Sequence, residues 1–109
     1  MKVQEGNLNR FKAKIFKALS DPVRLEIVEF LRDGEKCVCE ITPHLNLIQP
    51  LVSRHLKLLK DSGLVKGRKD GSKRLYSITD LRIFEVVESL TPDMIDSLSK
   101  IIIEQIIVR

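Results

Sequence analysis

The fold is decided by the segment that runs from Gln49 to Gly63, QPLVSRHLKLLKDSG. On a helix at about 100° per residue, this segment separates into one polar and one apolar face. The polar face holds Gln49, Ser53, Arg54, Lys57, Lys60 and Asp61, and the apolar face holds Leu51, Val52, Leu56, Leu58 and Leu59. Gly63 is the residue type that ends helices in the left-handed conformation. The segment therefore predicts a two-faced helix whose exposed side offers amide, hydroxyl and cationic groups.

The residues before this segment predict a helix-turn-helix. A short helix over about Val38 to Leu45 comes first, Asn46 and Leu47 form the turn, and the whole motif spans residues 37–62. His55 falls within the apolar arc of the second helix, so we expect a packed, hydrogen-bonded structural histidine rather than a metal ligand. His44 lies on the first helix and is expected to face outward.

The residues after this segment predict a basic β-hairpin. Beyond Gly63 the apolar spacing no longer fits a helix, and two short arms flank Asp70-Gly71-Ser72, which is typical of a hairpin tip. The hairpin covers residues 64–79. Between Arg54 and Arg74 the chain has 8 basic and 2 acidic residues, so the hairpin and the helix before it are suited to a polyanion.

Further helices are predicted on both sides of this centre. One spans residues 8–19, with a stripe of Leu8, Phe11, Ile15 and Leu19. The next is capped by Asp21, has Pro22 in its first turn and runs to about Arg32. Its inward side chains are predicted to be Leu25, Val28 and either Phe30 or Leu31. After the hairpin come a helix over Leu81 to Leu90, capped by Thr79-Asp80, and a last helix over about Asp93 to Val108, capped by Thr91.

The fold class is therefore mainly α with a small β-hairpin, in one domain of residues 1–109. The last helix contains Ile101, Ile102, Ile103, Ile106 and Ile107. This is more apolar surface than one face of a terminal helix needs in a monomer. We expect helices 8–19 and 92–108 to form a homodimer.

Charge and hydropathy narrow the class of function. The net charge is +4, and residues 1–79 hold 16 Lys and Arg against 9 Asp and Glu. Such a basic, polar helix face can hydrogen-bond the base edges and phosphates of double-stranded DNA. No apolar run is long enough to span a membrane and no signal-peptide pattern begins the chain, so a cytoplasmic location is expected. The alternative to DNA binding is that this helix-turn-helix with its hairpin, a winged helix, contacts another protein. Such a protein-binding domain would be expected to lack the basic hairpin.

Four segments in the same order resemble the ArsR/SmtB-type winged-helix repressors, over about residues 13–79. They are ALSDPVRL at 18–25, GEKCVCEI at 34–41, QPLVSRHLKLL at 49–59, and the hairpin with GLV at 63–65, RKDG at 68–71 and Tyr76. The resemblance implies a homodimer that represses transcription from an imperfect DNA palindrome until an inducer releases it. One departure is Ile48, where the family usually has a serine that would cap the helix. We expect Asn46 to substitute for it.

The resemblance and the polar face together give the candidate DNA-binding residues. The family pattern implies Gln49, Ser53, Arg54 and His55 on the recognition helix and Arg68, Lys69 and Gly71 in the wing, which is the hairpin. The charge pattern adds Lys57, Lys60, Lys73 and Arg74.

Cys37 and Cys39 are the only cysteines and are expected to be thiols at rest. Soft thiolates suit As(III), Sb(III) or a soft metal ion, and the resemblance implies such an inducer at this pair. Residues two apart point about 200° apart on an ideal helix, so binding is predicted to unwind the start of the helix and displace the next one. The family's third cysteine is replaced by Thr42, and residues 92–109 have no His or Cys for the family's zinc site.

Other roles for the cysteine pair stay open. The thiols could form a redox-sensing disulfide, or they could be small buried side chains without a sensing role. A thiolate enzyme would need a base or an electropositive site beside the nucleophile. Lys36 and His44 are the only nearby candidates, so we expect no enzyme and no obligatory cofactor.

Overall fold

A computed structural model describes residues 2–107 of the chain. A single 3-10 turn at Glu5–Asn7 precedes the first helix. The elements are α1 Leu8–Leu19, α2 Pro22–Phe30, β1 Lys36–Cys37, α3 Val38–Leu45, α4 Gln49–Asp61, β2 Val65–Asp70, β3 Lys73–Ile78, α5 Ile83–Glu88 and α6 Pro92–Ile107. The six predicted helices and the hairpin are therefore present. The predicted end of the last helix, Val108, lies outside the described residues.

Local side-chain caps define where several helices begin. The Asp21 carboxylate accepts hydrogen bonds from the backbone N–H of Val23 at 2.8 Å and of Arg24 at 3.3 Å. It satisfies two of the amide groups that the first turn of a helix leaves without partners. The Thr91 hydroxyl accepts from the backbone of Met94 at 3.3 Å, at the start of α6. The caps predicted at Asp21 and Thr91 are confirmed. The cap predicted at Thr79-Asp80 is wrong, because α5 follows Arg82 with no side-chain cap. The Asp80 carboxylate accepts instead from the backbone N–H of Arg82, at 3.0 Å, in the turn before the helix.

The sheet has a third strand that the sequence pattern did not predict. Its order is β1-β3-β2 and all pairings are antiparallel. β1 is two residues long and pairs Cys37 with Leu75 of β3. At the hairpin tip, Gly71 has φ of 61° and is followed by Ser72, which matches a two-residue turn with glycine in the first position.

The core packs α2, α3 and α4 against the sheet. Ile27, Ile41, Val52, Leu56 and Leu59 are completely buried. Leu25, Leu51 and Leu58 were predicted to face the core, and this prediction was wrong. A helical wheel shows on which side of the helix a residue lies, but not which neighbours cover that side. The exposed fractions are 40% for Leu25, 37% for Leu51 and 47% for Leu58.

α1 and α6 expose most of their apolar side chains. No described residue of α6 is buried, and its apolar side chains are 46–74% exposed. Leu8, Phe11 and Phe16 of α1 are 42–58% exposed. These are the two helices for which an intermolecular contact was predicted. None of the helices in residues 2–107 combines the length and apolar character needed to cross a membrane.

Candidate nucleic-acid interface and cysteine pair

The start of α4 depends on its backbone rather than on a capping side chain. Ile48 is extended, with φ of −77° and ψ of 146°, and no side-chain cap forms there. Its carbonyl accepts hydrogen bonds from the N–H groups of Leu51 and Val52. The expectation that Asn46 replaces the missing serine cap is wrong, because Asn46 adopts the left-handed conformation, with φ of 54°, and ends α3.

One groove of about 870 Å³ brings together much of the predicted site. Its floor and walls come from α4, from the tip and second strand of the hairpin, and from the beginning of α3. The lining residues include Gln49, Ser53, Lys57 and Lys60 of α4, Ser72, Lys73, Arg74 and Tyr76 of the hairpin, and Cys37, Cys39 and Thr42. Arg68 and Lys69 line a neighbouring cleft that shares Lys60 and Arg74. We call the larger cavity the basic groove.

Two of the side chains predicted for the site lie outside the basic groove and its neighbouring cleft. Arg54 is exposed on α4 and is absent from the lining of both. His55 is half-buried, and its Nδ1 lies 3.2 Å from Nη1 of Arg24. His55 is therefore the packed, hydrogen-bonded histidine that its place on the apolar arc predicts.

Some cations of this surface already have acidic partners. The Arg68 guanidinium donates two hydrogen bonds to the Glu35 carboxylate, at 2.7 and 2.8 Å, and holds the pKa of Glu35 below its ordinary value. Lys57 pairs with Asp61 one turn along α4, at 3.0 Å. Between residues 2 and 107, neither Lys60 nor any of Lys69, Lys73 and Arg74 forms an ion pair.

The hairpin also places like charges opposite each other. Lys69 and Arg74 are direct partners in the β2–β3 register, and like charges in that position destabilise a sheet. A bound polyanion would offset this repulsion, so the arrangement favours the binding of an anionic ligand at the hairpin.

The structure corrects two expectations about the cysteines. Cys37 and Cys39 are joined as a disulfide rather than being free thiols. The expected divergence of about 200° does not apply, because Cys37 is the extended residue before α3, with φ of −76° and ψ of 149°. The Cα atoms are 5.0 Å apart, within the usual disulfide range of about 4.4–6.8 Å.

Backbone hydrogen bonds hold the pair at the strand–helix junction. Sγ of Cys37 accepts from the N–H of Cys39 at 2.8 Å, and the Glu40 carboxylate accepts from the N–H of Cys37 at 3.1 Å. This is a reciprocal capping box in which sulfur replaces the usual hydroxyl. Cys37 is buried and Cys39 is exposed, and both line the basic groove.

No side chain in the described range completes a larger metal-binding set. Residues 2–107 contain no cluster of three or more His, Cys, Asp or Glu that could hold a metal ion. Thr42 also lines the basic groove, and its buried hydroxyl oxygen has no hydrogen-bond partner. Any ligand of the reduced pair would therefore have two sulfur donors from this chain.

Comparison with known proteins shows similarity to regulators. The family model described as "Bacterial regulatory protein, arsR family" matches residues 21–66, which run from the cap of α2 into β2. An uncharacterized HTH-type transcriptional regulator of Methanocaldococcus jannaschii is 46% identical over 77 residues, which cover 70% of this chain and 86% of that protein. An arsenical resistance operon repressor of Staphylococcus aureus is 41% identical over 76 residues, covering 70% of this chain and 73% of the repressor.

A solved structure matches the fold over most of the chain. It is the solution structure of a homodimeric winged helix-turn-helix DNA-binding domain from Mycobacterium bovis, described as a possible ArsR-family transcriptional regulator. The TM-score is 0.73 at 29% identity, and the match covers 83% of this chain and 86% of that domain.

Proposed function

Because this chain belongs to the ArsR family of bacterial regulatory proteins, we propose that it is a homodimeric repressor that binds an imperfect palindrome in double-stranded DNA. Family membership makes it a transcription regulator and not an enzyme. The observation that carries the proposal is the basic groove, where the polar face of α4 and the cationic hairpin line one cavity. The homodimeric DNA-binding domain of similar fold supports the two-fold assembly.

The residues of α4 and of the hairpin have different roles in this proposal. Gln49, Ser53 and Arg54 are at the N-terminal half of α4, the part that reaches base edges when such a helix enters the major groove. Gln pairs well with adenine and Arg with guanine. Lys60 and the hairpin cations Lys73 and Arg74 contact phosphates, which gives affinity without sequence information.

The remaining predicted residues have supporting positions. Lys57 and Arg68 also face phosphates, but each shares its charge with a carboxylate, Asp61 and Glu35 respectively. Lys69 lies opposite Arg74 and extends the cationic edge of the hairpin. His55 contacts Arg24 within the protein, so we assign it no base contact.

A DNA-binding measurement with matched variants tests these roles. We expect Gln49→Ala to relax the base preference at one position of a palindrome selected from random DNA, at a cost of about 1–3 kcal/mol. Lys60→Ala should weaken selected and random duplexes alike and should lower the salt dependence. Lys12→Ala, which removes an exposed cation of α1, is the control and should change neither. Equal loss on both duplexes in Gln49→Ala would contradict its role as a base-reading residue.

We further propose that the reduced cysteine pair binds As(III), Sb(III) or a soft metal ion, and that this ligand releases the DNA. Two converging thiolates suit such ligands, and the pair lines the same basic groove as the proposed DNA contacts. The arsenical resistance operon repressor among the similar proteins supports this ligand class.

The position of the pair suggests how release would occur. Cys37 pairs with Leu75 in the hairpin strand β3, while Cys39 is in the first turn of α3. A ligand that moves the two sulfur atoms therefore changes the β1–α3 junction, and with it the hairpin and the turn into α4. Unwinding of α3 is not required, because Cys37 already lies before the helix.

The disulfide supports a second candidate for regulation. If the pair is a redox switch, oxidation alone changes DNA affinity and arsenite is not needed. Three preparations separate the two possibilities: reduced protein, reduced protein with arsenite, and oxidised protein, each titrated into the selected duplex.

The sensor proposal predicts that arsenite weakens the reduced protein and that Cys37→Ser abolishes this response while keeping DNA affinity. The redox proposal predicts a difference only between reduced and oxidised protein. Equal affinity in all three preparations would leave the pair with a structural role. Failure to prefer the selected duplex over random DNA would instead overturn the DNA-binding proposal and favour a protein partner.

A further inference from the structure

Arg24 connects three helices. Its Nε donates to the carbonyl of Ala18 at 2.6 Å, and Nη2 donates to the carbonyl of Lys17 at 3.4 Å. Its Nη1 lies 3.2 Å from Nδ1 of His55. Arg24 itself belongs to the first turn of α2, so one guanidinium contacts the end of α1 and the middle of α4.

The contact with Ala18 supplies a donor to a carbonyl at the end of α1, whereas the Lys17 carbonyl also accepts from the N–H and the hydroxyl of Ser20. The last carbonyls of a helix have no donor within the helix, and a cation near them also interacts favourably with the helix dipole. A guanidinium presents several donors in one rigid plane, whereas a lysine ammonium is a point charge on a flexible stem. The planar group can therefore keep α1 and α4 in one relative orientation.

The contact with α4 is a single hydrogen bond to His55. Arginine is always a donor, so this hydrogen bond needs Nδ1 of His55 as its acceptor. Within residues 2–107, this is the only side-chain hydrogen bond between α4 and another helix. The other contacts that hold α4 in place are apolar, and apolar burial has no directional preference.

We propose that Arg24 and His55 form a positioning pair that fixes the orientation of α4 relative to α1. The inference rests on the proposed function, in which a homodimer reads DNA through α4, and on the prediction that α1 takes part in the dimer contact. In such a dimer the angle between α1 and α4 determines the separation of the two recognition helices. That separation must match half-sites one helical turn apart, about 34–36 Å. The pair is therefore a determinant of half-site spacing, although neither residue touches a base.

The test uses the full chain and three palindromic duplexes. One carries the palindrome selected by the wild-type protein from random DNA, and the others have one base pair removed from or added to its centre. His55→Leu removes the acceptor, and His55→Asn keeps an amide oxygen near the position of Nδ1. Arg24→Lys keeps the charge and loses the planar fork.

We expect His55→Leu and Arg24→Lys to lose about tenfold in affinity for the selected spacing, which corresponds to about 1.4 kcal/mol. Their affinity for the two altered spacings and for random duplex should stay within about twofold of the wild-type values, so the spacing preference is flattened. His55→Asn should retain the wild-type preference. Combining Arg24→Lys with His55→Leu should add little to either loss, because both remove the same contact.

Several results would overturn the inference. A wild-type spacing preference in both His55→Leu and Arg24→Lys would show that the pair does not position α4. Equal weakening on every duplex, random DNA included, would make His55 or Arg24 a phosphate contact. If His55→Leu fails to fold, judged by its thermal unfolding, His55→Asn and Arg24→Lys still decide the question. If the wild-type protein selects no palindrome, the DNA-binding proposal itself fails, and the inference about Arg24 and His55 loses its premise.

Discussion

α4 and α6 both expose a long face to solvent, but the two faces have opposite chemistry. The polar face of α4 carries amide, hydroxyl and cationic side chains, and most of them line the basic groove. The exposed face of α6 is dominated by isoleucine, and none of its described residues is buried. One surface is suited to a charged polymer, and the other is suited to a second apolar surface.

The difference also concerns how each helix is held. α4 has Val52, Leu56 and Leu59 in the core, with no measurable exposure, so its outer face is presented by a rigid body. α6 contributes nothing to the buried core of a single chain. α4 is therefore held in position within a single chain, whereas the apolar side chains of α6 stay largely exposed there.

The largest expected effect comes from placing a charge on the apolar face of α6. Ile102→Glu should produce a monomer in sedimentation experiments, because an unpaired carboxylate is costly to bury at an interface. A monomer engages one half-site only, so affinity for the palindrome should fall by about 10²–10⁴-fold. Ser97→Glu is the matched control, since it adds the same charge on the polar stripe of the helix. A dimeric Ile102→Glu protein with full DNA affinity would contradict the role given to α6.

A smaller effect is expected at the hairpin. Arg74→Ala should lower the slope of log affinity against log salt concentration by about 1 and reduce affinity at moderate salt by about tenfold. It should not lower the melting temperature, because it removes the repulsion with Lys69. Arg82→Ala, which removes a cation paired with Asp80 outside the groove, serves as the comparison. A lower melting temperature with unchanged DNA affinity would make Arg74 a structural residue.

Features encoded by local spacing could be predicted from the sequence. The two faces of α4, the cap at Asp21 and the glycine at the hairpin tip each depend on residues within a few positions of one another. β1 could not be predicted in this way, because two residues show no alternation and Cys37 pairs with a strand far along the chain. Because β1 was not predicted, the cysteine pair was assumed to lie within a helix. The angle between the two cysteine side chains was therefore predicted wrongly.

The polar contacts that join distant segments were equally hidden. Arg68 and Glu35 are 33 residues apart, and Arg24 and His55 are 31 residues apart. A helical wheel placed His55 on the inner arc correctly, but it could not identify the partner. It also treated Leu51 and Leu58 as buried, since it contains no information on which neighbours cover each side of the helix.

The smallest expected effects come from removing the caps of α2 and α6. Asp21→Ala should destabilise the protein by about 1 kcal/mol, because α2 is part of the core and two N–H groups lose their acceptor. Thr91→Ala removes the cap of α6 and should leave thermal unfolding of the monomeric Ile102→Glu protein almost unchanged. Equal effects of the two substitutions in that background would mean that α6 packs on the core without a partner.

The stability lost in Asp21→Ala should depend on pH. Burial raises the pKa of Asp21, but hydrogen bonds from the backbone of Arg24 and Val23 outweigh it and bring the pKa below its ordinary value of 3.8. The folded state therefore binds this proton less readily than the unfolded chain. The cap contributes its full stability well above pH 3.8 and loses it as the pH falls through the lowered pKa. Urea unfolding at neutral pH and near pH 3 should show a difference between wild type and Asp21→Ala that shrinks in acid, because a protonated Asp21 is a poorer acceptor for these N–H groups.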